Sequence, residues 1–241
     1  MYDLKVDLSD PTRALTPTLD GPVLAVLAAA GRPLTVGQIA VQAARGSEIG
    51  IRRSVARLVR EGLVTATVVG RNQVHELNRD HVAAPAATLF ADLRLEVWRR
   101  LREAIQNWDP RPLYACAFGS AARGDGGEDS DIDLLLVHPQ LVGESPPLLN
   151  HRKGLNAVLD VLAAGTMTPN RAADGSKWQS QMDELHRQVL RWTGNQLHVV
   201  DISPWQWISQ PKDNPALHAE IRRDAVDLCG SGMYPALAAA R

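Results

Sequence analysis

Phe118-Gly119-Ser120-Ala121-Ala122-Arg123-Gly124-Asp125, followed after a short acidic loop by Ser130-Asp131-Ile132-Asp133-Leu134-Leu135-Leu136-Val137, is the stretch on which the reading of this chain turns. Leu113 to Phe118 and Ile132 to Val137 are short apolar runs bounded by turn residues, which predicts two buried strands. A strand that ends in Gly-Ser and enters a short helix offers backbone donors and a hydroxyl, a pattern suited to phosphate oxygens. Asp131 and Asp133 are two apart on a strand, so their carboxylates share one side while Ile132 and Leu134 face the core. Two such charges repel by about 3 kcal/mol at an effective dielectric of about 20, which calls for something positive between them. Oxygen ligands beside a phosphate site suit Mg²⁺, which takes one or two protein carboxylates together with substrate phosphates.

Outward from this centre, a long amphipathic helix is expected through Leu93, Val97, Leu101 and Ile105, ended by Pro110 and Pro112. Trp178, Met182, Leu185, Val189 and Trp192 predict a second helix ended by Gly194 and Asn195. Leu197 to Ile202 reads as a third strand, and Asp213 or Asn214 with Pro215 as the start of a last helix through Leu217, Ile221 and Leu228 to Gly230. Between them, a helix from about Leu149 to Ala164 and a polar loop to Ser176 are expected.

Residues 20 to 80 have a different character. Asp20 and Pro22 open one helix and Gly31 ends it. Thr35 and Gln38 have capping-box spacing for a second, and Ser47 caps a third, with Ile51, Val55, Leu58 and Val59 on one face and Arg52, Arg53, Arg57 and Arg60 on another. Leu63 to Val69 and Gln73 to Leu77 then read as a hairpin turning at Gly70, Arg71 and Asn72. Three helices and a hairpin make a winged helix-turn-helix. From Arg32 to Arg79 eight arginines stand against three glutamates, a local excess of +5 in a chain of net charge -1. That asymmetry suits a polyanion, and the third helix with Arg71 at the hairpin tip is the surface expected to meet DNA or RNA. A solvated face or a protein contact is the competing reading of the same arginines.

With 241 residues, 45% hydrophobic and 22% charged, the chain has the composition of a folded globular protein and room for two modest domains. The division expected is an N-terminal extension over 1–19, the winged domain over 20–80, a linker and connecting helix over 81–112, a second domain over 113–230 and a tail over 231–241. Within 81–112, the segment from His81 to Ala87 reads as the link. No run is long enough to span a bilayer, and Asp3, Asp7 and Asp10 replace the basic start of a secretory signal, so a cytoplasmic location and no membrane partner are expected. Cys116 and Cys229 are too few for a disulfide framework and read as buried thiols. The seven histidines lack zinc spacing.

The run from Gly119 to Val137 resembles the motif of the DNA polymerase beta-like nucleotidyltransferases, and is most similar to the small bacterial minimal members. Ala121 departs from their pattern, where a basic or polar residue is common. The resemblance implies an α+β fold with a mixed sheet, and transfer of a nucleoside monophosphate from an NTP. It implies a third carboxylate on a later strand, for which Asp201 in Leu197-His198-Val199-Val200-Asp201-Ile202 is the candidate. Asp131, Asp133 and Asp201 are then the expected catalytic and metal-holding residues, with Mg²⁺ or Mn²⁺. Gly119, Ser120, Arg123 and Ser130 are the expected nucleotide contacts, although an arginine on a short surface helix also serves as an ion-pair partner. An RNA such as tRNA or a protein is the implied acceptor, and a toxin-antitoxin or defence pair, with a partner toxin, and a homodimer are compatible settings. A DNA-binding regulator that senses nucleotide without turnover is the alternative.

Overall fold

The computed structural model describes residues 5–127, 129–139, 141–142, 174–204, 206–207 and 214–230. The helix expected near Leu149 to Ala164, most of the polar loop after it and the 231–241 tail lie outside the described residues. The chain divides into two compact units, Val6–Val97 with Asp125–Glu128, and Trp98–Gly124 with Met1–Lys5 and Asp129–Arg241.

The first unit builds helices α1 (Asp20–Ala30), α2 (Val36–Gln42) and α3 (Glu48–Arg60), then strands β1 (Val64–Val69) and β2 (Asn72–Leu77). Each boundary has a local cause. Gly31 closes α1 at φ +59, where a side chain would be strained. Thr35 and Gln38 form the reciprocal capping box of α2, and the Ser47 hydroxyl accepts from the Gly50 N–H at the start of α3. The strands pair antiparallel from Val64↔Leu77 to Val69↔Asn72, so the turn is only Gly70 and Arg71, with Asn72 already in the ladder. Val23, Leu27, Leu34, Ile39, Ile51, Val55 and Leu58 form the core. Asp20 in the first turn of α1 accepts from the Ser54 hydroxyl at 2.6 Å and pairs with Arg57 at 2.5 Å, tying α1 to α3. Asp10, buried, pairs with Arg45, which also donates to the Thr16 and Thr18 carbonyls and so secures residues 10–18 against the end of α2.

Helix α4 (Ala84–Gln106) starts earlier than the sequence reading, which took residues up to Ala87 as a link. Pro85 stands in the first turn, where its missing N–H has no intrahelical acceptor to lose. The division between the two units falls within this helix.

In the second unit β3 (Tyr114–Phe118) runs into the short helix α5 (Gly119–Arg123), followed by β4 (Ile132–Val137), α6 (Gly175–Thr193), β5 (Leu197–Ile202), α7 (Pro215–Asp224) and β6 (Val226–Cys229). The sheet has the order β5-β4-β3-β6. β3 is antiparallel to both neighbours while β4 and β5 are parallel. A parallel pair needs a crossover, and α6 supplies part of it. The last helix expected through Leu228 is corrected: α7 stops at Asp224, and Val226–Cys229 pairs with β3. Leu228 continues the seven-residue spacing from Ile221, yet Val226 and Leu228 also alternate with Asp227 and Cys229, and the edge of β3 selects the strand period.

One sheet face carries Tyr114, Cys116, Phe118, Leu135 and Val137 under Ile221 of α7 and Trp207. Leu134 and Leu136 lie on the opposite face by strand alternation. Cys116 is buried and its thiol is pushed up to about 12 by burial; Cys229 is half-buried. Among the described residues no helix is long and apolar enough to cross a membrane.

Candidate active site

Antiparallel pairing sets Phe118, the last residue of β3, opposite Asp133 on β4. The chain leaves β3 through Gly119 at φ +76, and a Cβ built on that glycine would meet the Asp133 carboxylate. Glycine is therefore required twice over, by conformation and by space. Ser120 follows within α5, and the Gly124 N–H donates to its carbonyl at 2.8 Å. Asp131 enters β4 from a fixed backbone: the buried Asn195 donates to the Ser130 carbonyl at 2.9 Å, and the Ile132 N–H donates to Gln196 at 2.9 Å. Asp131 and Asp133 share the sheet face that bears Leu135 and Val137, but stand at its open end, each side chain 33% exposed.

Across the parallel ladder Asp133 pairs with His198, not with Asp201. The imidazole faces both acids, with Nε2 at 3.7 Å from Asp131 Oδ2 and Nδ1 at 3.9 Å from Asp133 Oδ1. Asp201 pairs with Leu136, three residues further along and on the opposite face, and its carboxylate accepts from Trp178 Nε1 at 3.0 Å. The structure thus corrects the expectation that Asp201 joins the pair. Strand alternation divides His198 and Val200 from Val199 and Asp201, and the register with β4 decides which set faces the site.

Burial raises the Asp133 carboxyl above its ordinary value; His198 offsets this, while Glu220 and Asp131 push it further up. Glu220, on α7, is an acid that the sequence reading did not single out. Arg123 pairs with it at 3.4 Å and with Asp224 at 2.7 Å. Arg223 and Arg123 together hold the Asp224 carboxyl down at about 2. Arg123 therefore braces α5 against α7, the ion-pair role that competed with phosphate contact in the sequence. Among the described residues no three His, Cys, Asp or Glu side chains converge as a metal nest.

In the first unit Arg52 pairs with Glu48 at 2.8 Å on the exposed face of α3, and Arg57 is held by Asp20. Arg57 is thereby a tie between helices, its side chain still partly exposed on α3. Arg53, Arg60 and Arg71 are exposed and have no ion-pair partner among the described residues.

Residues 98–188 match the model of a family described as the nucleotidyltransferase domain. The match takes in β3, the Gly119-Ser120 turn, the acidic pair and much of α6, and covers less than half of the chain. No curated protein matches the chain.

Proposed function

We propose that the second unit transfers a nucleoside monophosphate from an NTP to an acceptor, and that the first unit is a winged helix-turn-helix that holds nucleic acid. The observation that carries the transferase reading is the contact of the Gly119 turn with the Asp133 carboxylate, with Asp131 on the same strand face, inside the stretch matched as a nucleotidyltransferase domain. In this reading Gly119, Ser120 and Ser130 border the phosphates, and Asp131 and Asp133 hold Mg²⁺ or Mn²⁺.

The donor set fits those ions. Both are hard enough to take carboxylate oxygens together with phosphate oxygens and water, and two acids at an open strand end leave room for these. When bound, such an ion neutralises charge on the transferring phosphoryl group and lowers the pKa of a coordinated hydroxyl. The chain's own residues do the rest. Arg123 ties α5, the helix that carries Ser120, to α7, and Asn195 fixes the strand entry that carries Asp131.

For the first unit, α2 and α3 form the helix pair and β1–β2 the wing. Arg53 and Arg60 on the exposed side of α3 and Arg71 at the hairpin tip are the cations available to phosphates, with Arg52 beside them. An RNA or protein acceptor suits this arrangement. A second reading, a nucleotide sensor without turnover, is favoured by one observation: among the described residues no three acid, histidine or cysteine side chains form a metal-holding group.

Incubation with α-labelled NTPs, Mg²⁺ or Mn²⁺ and bulk tRNA or cell protein separates the two. Label that appears on an acceptor and disappears in Asp131→Asn and Asp133→Asn establishes transfer. Nucleotide binding without label movement establishes the sensor.

A further inference from the structure

We propose that His198 is an internal cap on the acidic pair, its imidazole holding the place between Asp131 and Asp133 that a divalent cation takes, so that cation and ring compete for the two carboxylates. This rests on the reading of the pair as the cation-holding group, and adds to it a residue that sets the terms of access. Three features carry it. The parallel register seats His198 level with Asp133, on the face the acids share. One ring nitrogen faces each acid, at 3.7 Å and 3.9 Å, so a single ring stands within 4 Å of both carboxylates. Finally, these three side chains do not make up a metal-holding group of three as they stand. In this conformation His198 is therefore no third ligand.

The cap is built to leave. The His198 side chain is 61% exposed, so rotation about its side-chain torsions carries the ring into solvent without moving β5. Its hold is correspondingly weak, since the ring stands mostly in solvent and both contacts exceed hydrogen-bond length. A bare divalent ion must displace the ring with water as its only other ligand. An ion that arrives already chelated by a polyphosphate brings additional contacts to the Gly119-Ser120 turn, and these offset the displacement. The arrangement discriminates against free metal and in favour of the metal–nucleotide complex.

The test uses Mn²⁺ alone as the probe, titrated into the full chain and followed by electron paramagnetic resonance of the free ion. His198→Ala is expected to bind Mn²⁺ about two- to fivefold more tightly than the wild type, the range that exposed ion-pair energies permit. His198→Arg, which keeps a nitrogen-bearing side chain facing the acids, is expected to remain at or below wild-type affinity. Equal or weaker binding by His198→Ala overturns the cap. Asp133→Asn run in parallel distinguishes the two layers of the argument. If it loses Mn²⁺ while His198→Ala matches the wild type, the cap fails and the cation-holding reading stands. If Asp133→Asn binds as the wild type does, the ion lies elsewhere and both fail.

Discussion

Gly119 carries two constraints at one Cα, a left-handed backbone and the Asp133 carboxylate packed against it. Gly119→Ala is expected to cost about 1–3 kcal/mol from the strained conformation alone, and to displace Asp133 as the new methyl claims its space. Urea denaturation and Mn²⁺ titration of the same variant check both effects; wild-type values in either would mean that the turn relaxes freely. His75 is a different single-residue case. It is buried in the first unit with its Nδ1 unpartnered, and burial holds its imidazole below the ordinary 6.5. The folded ring stays neutral where the unfolded one gains a proton, so the contribution is complete above pH 6.5 and lost as the pH falls below it. The urea midpoint should decline through this window, and His75→Phe should flatten that decline.

At the level of elements, α3 has two kinds of arginine. Arg57 belongs to the Asp20–Ser54 tie that fixes α1 to α3, whereas Arg53 and Arg60 stand in solvent. Arg57→Ala should lower the stability of the chain by a few tenths to about 1 kcal/mol, read as a lower melting temperature, because the pair is partly exposed. The Arg53→Glu, Arg60→Glu pair should leave the melting temperature alone and weaken duplex binding, reducing the salt slope by about 2. Unchanged binding would leave these residues as a solvated face. The elements themselves were largely legible: caps at Thr35, Ser47 and Asn214, and stops at Gly31 and Gly194, mark helix ends through contacts a few residues long. Two ends were not. The start of α4 at Ala84 hides behind a proline that a first turn tolerates, and the change from α7 to β6 has no glycine or proline to mark it.

At the scale of the whole molecule, the sheet order decides what each strand residue does. Asp201 serves the buried aromatic layer under α6, where its carboxylate accepts from Trp178 and Trp178 meets Trp108 edge to face at 5.0 Å. Asp201→Asn is expected to leave Mn²⁺ binding unchanged and to lower stability by about 1 kcal/mol, as the indole exchanges a charged acceptor for a neutral one. Loss of Mn²⁺ in that variant would return Asp201 to the site. The sequence alone determined the acidic pair, the glycine-serine bend beside it, both strands of that motif and most helix ends, because each depends on spacing and sterics within a few residues. Only the tertiary structure decided that His198 faces the pair, that Asp201 faces away, and that Arg123 of α5 meets Glu220 of α7. Those outcomes depend on register and packing between segments distant in the chain, where a shift of one residue turns every side chain of a strand to the other face.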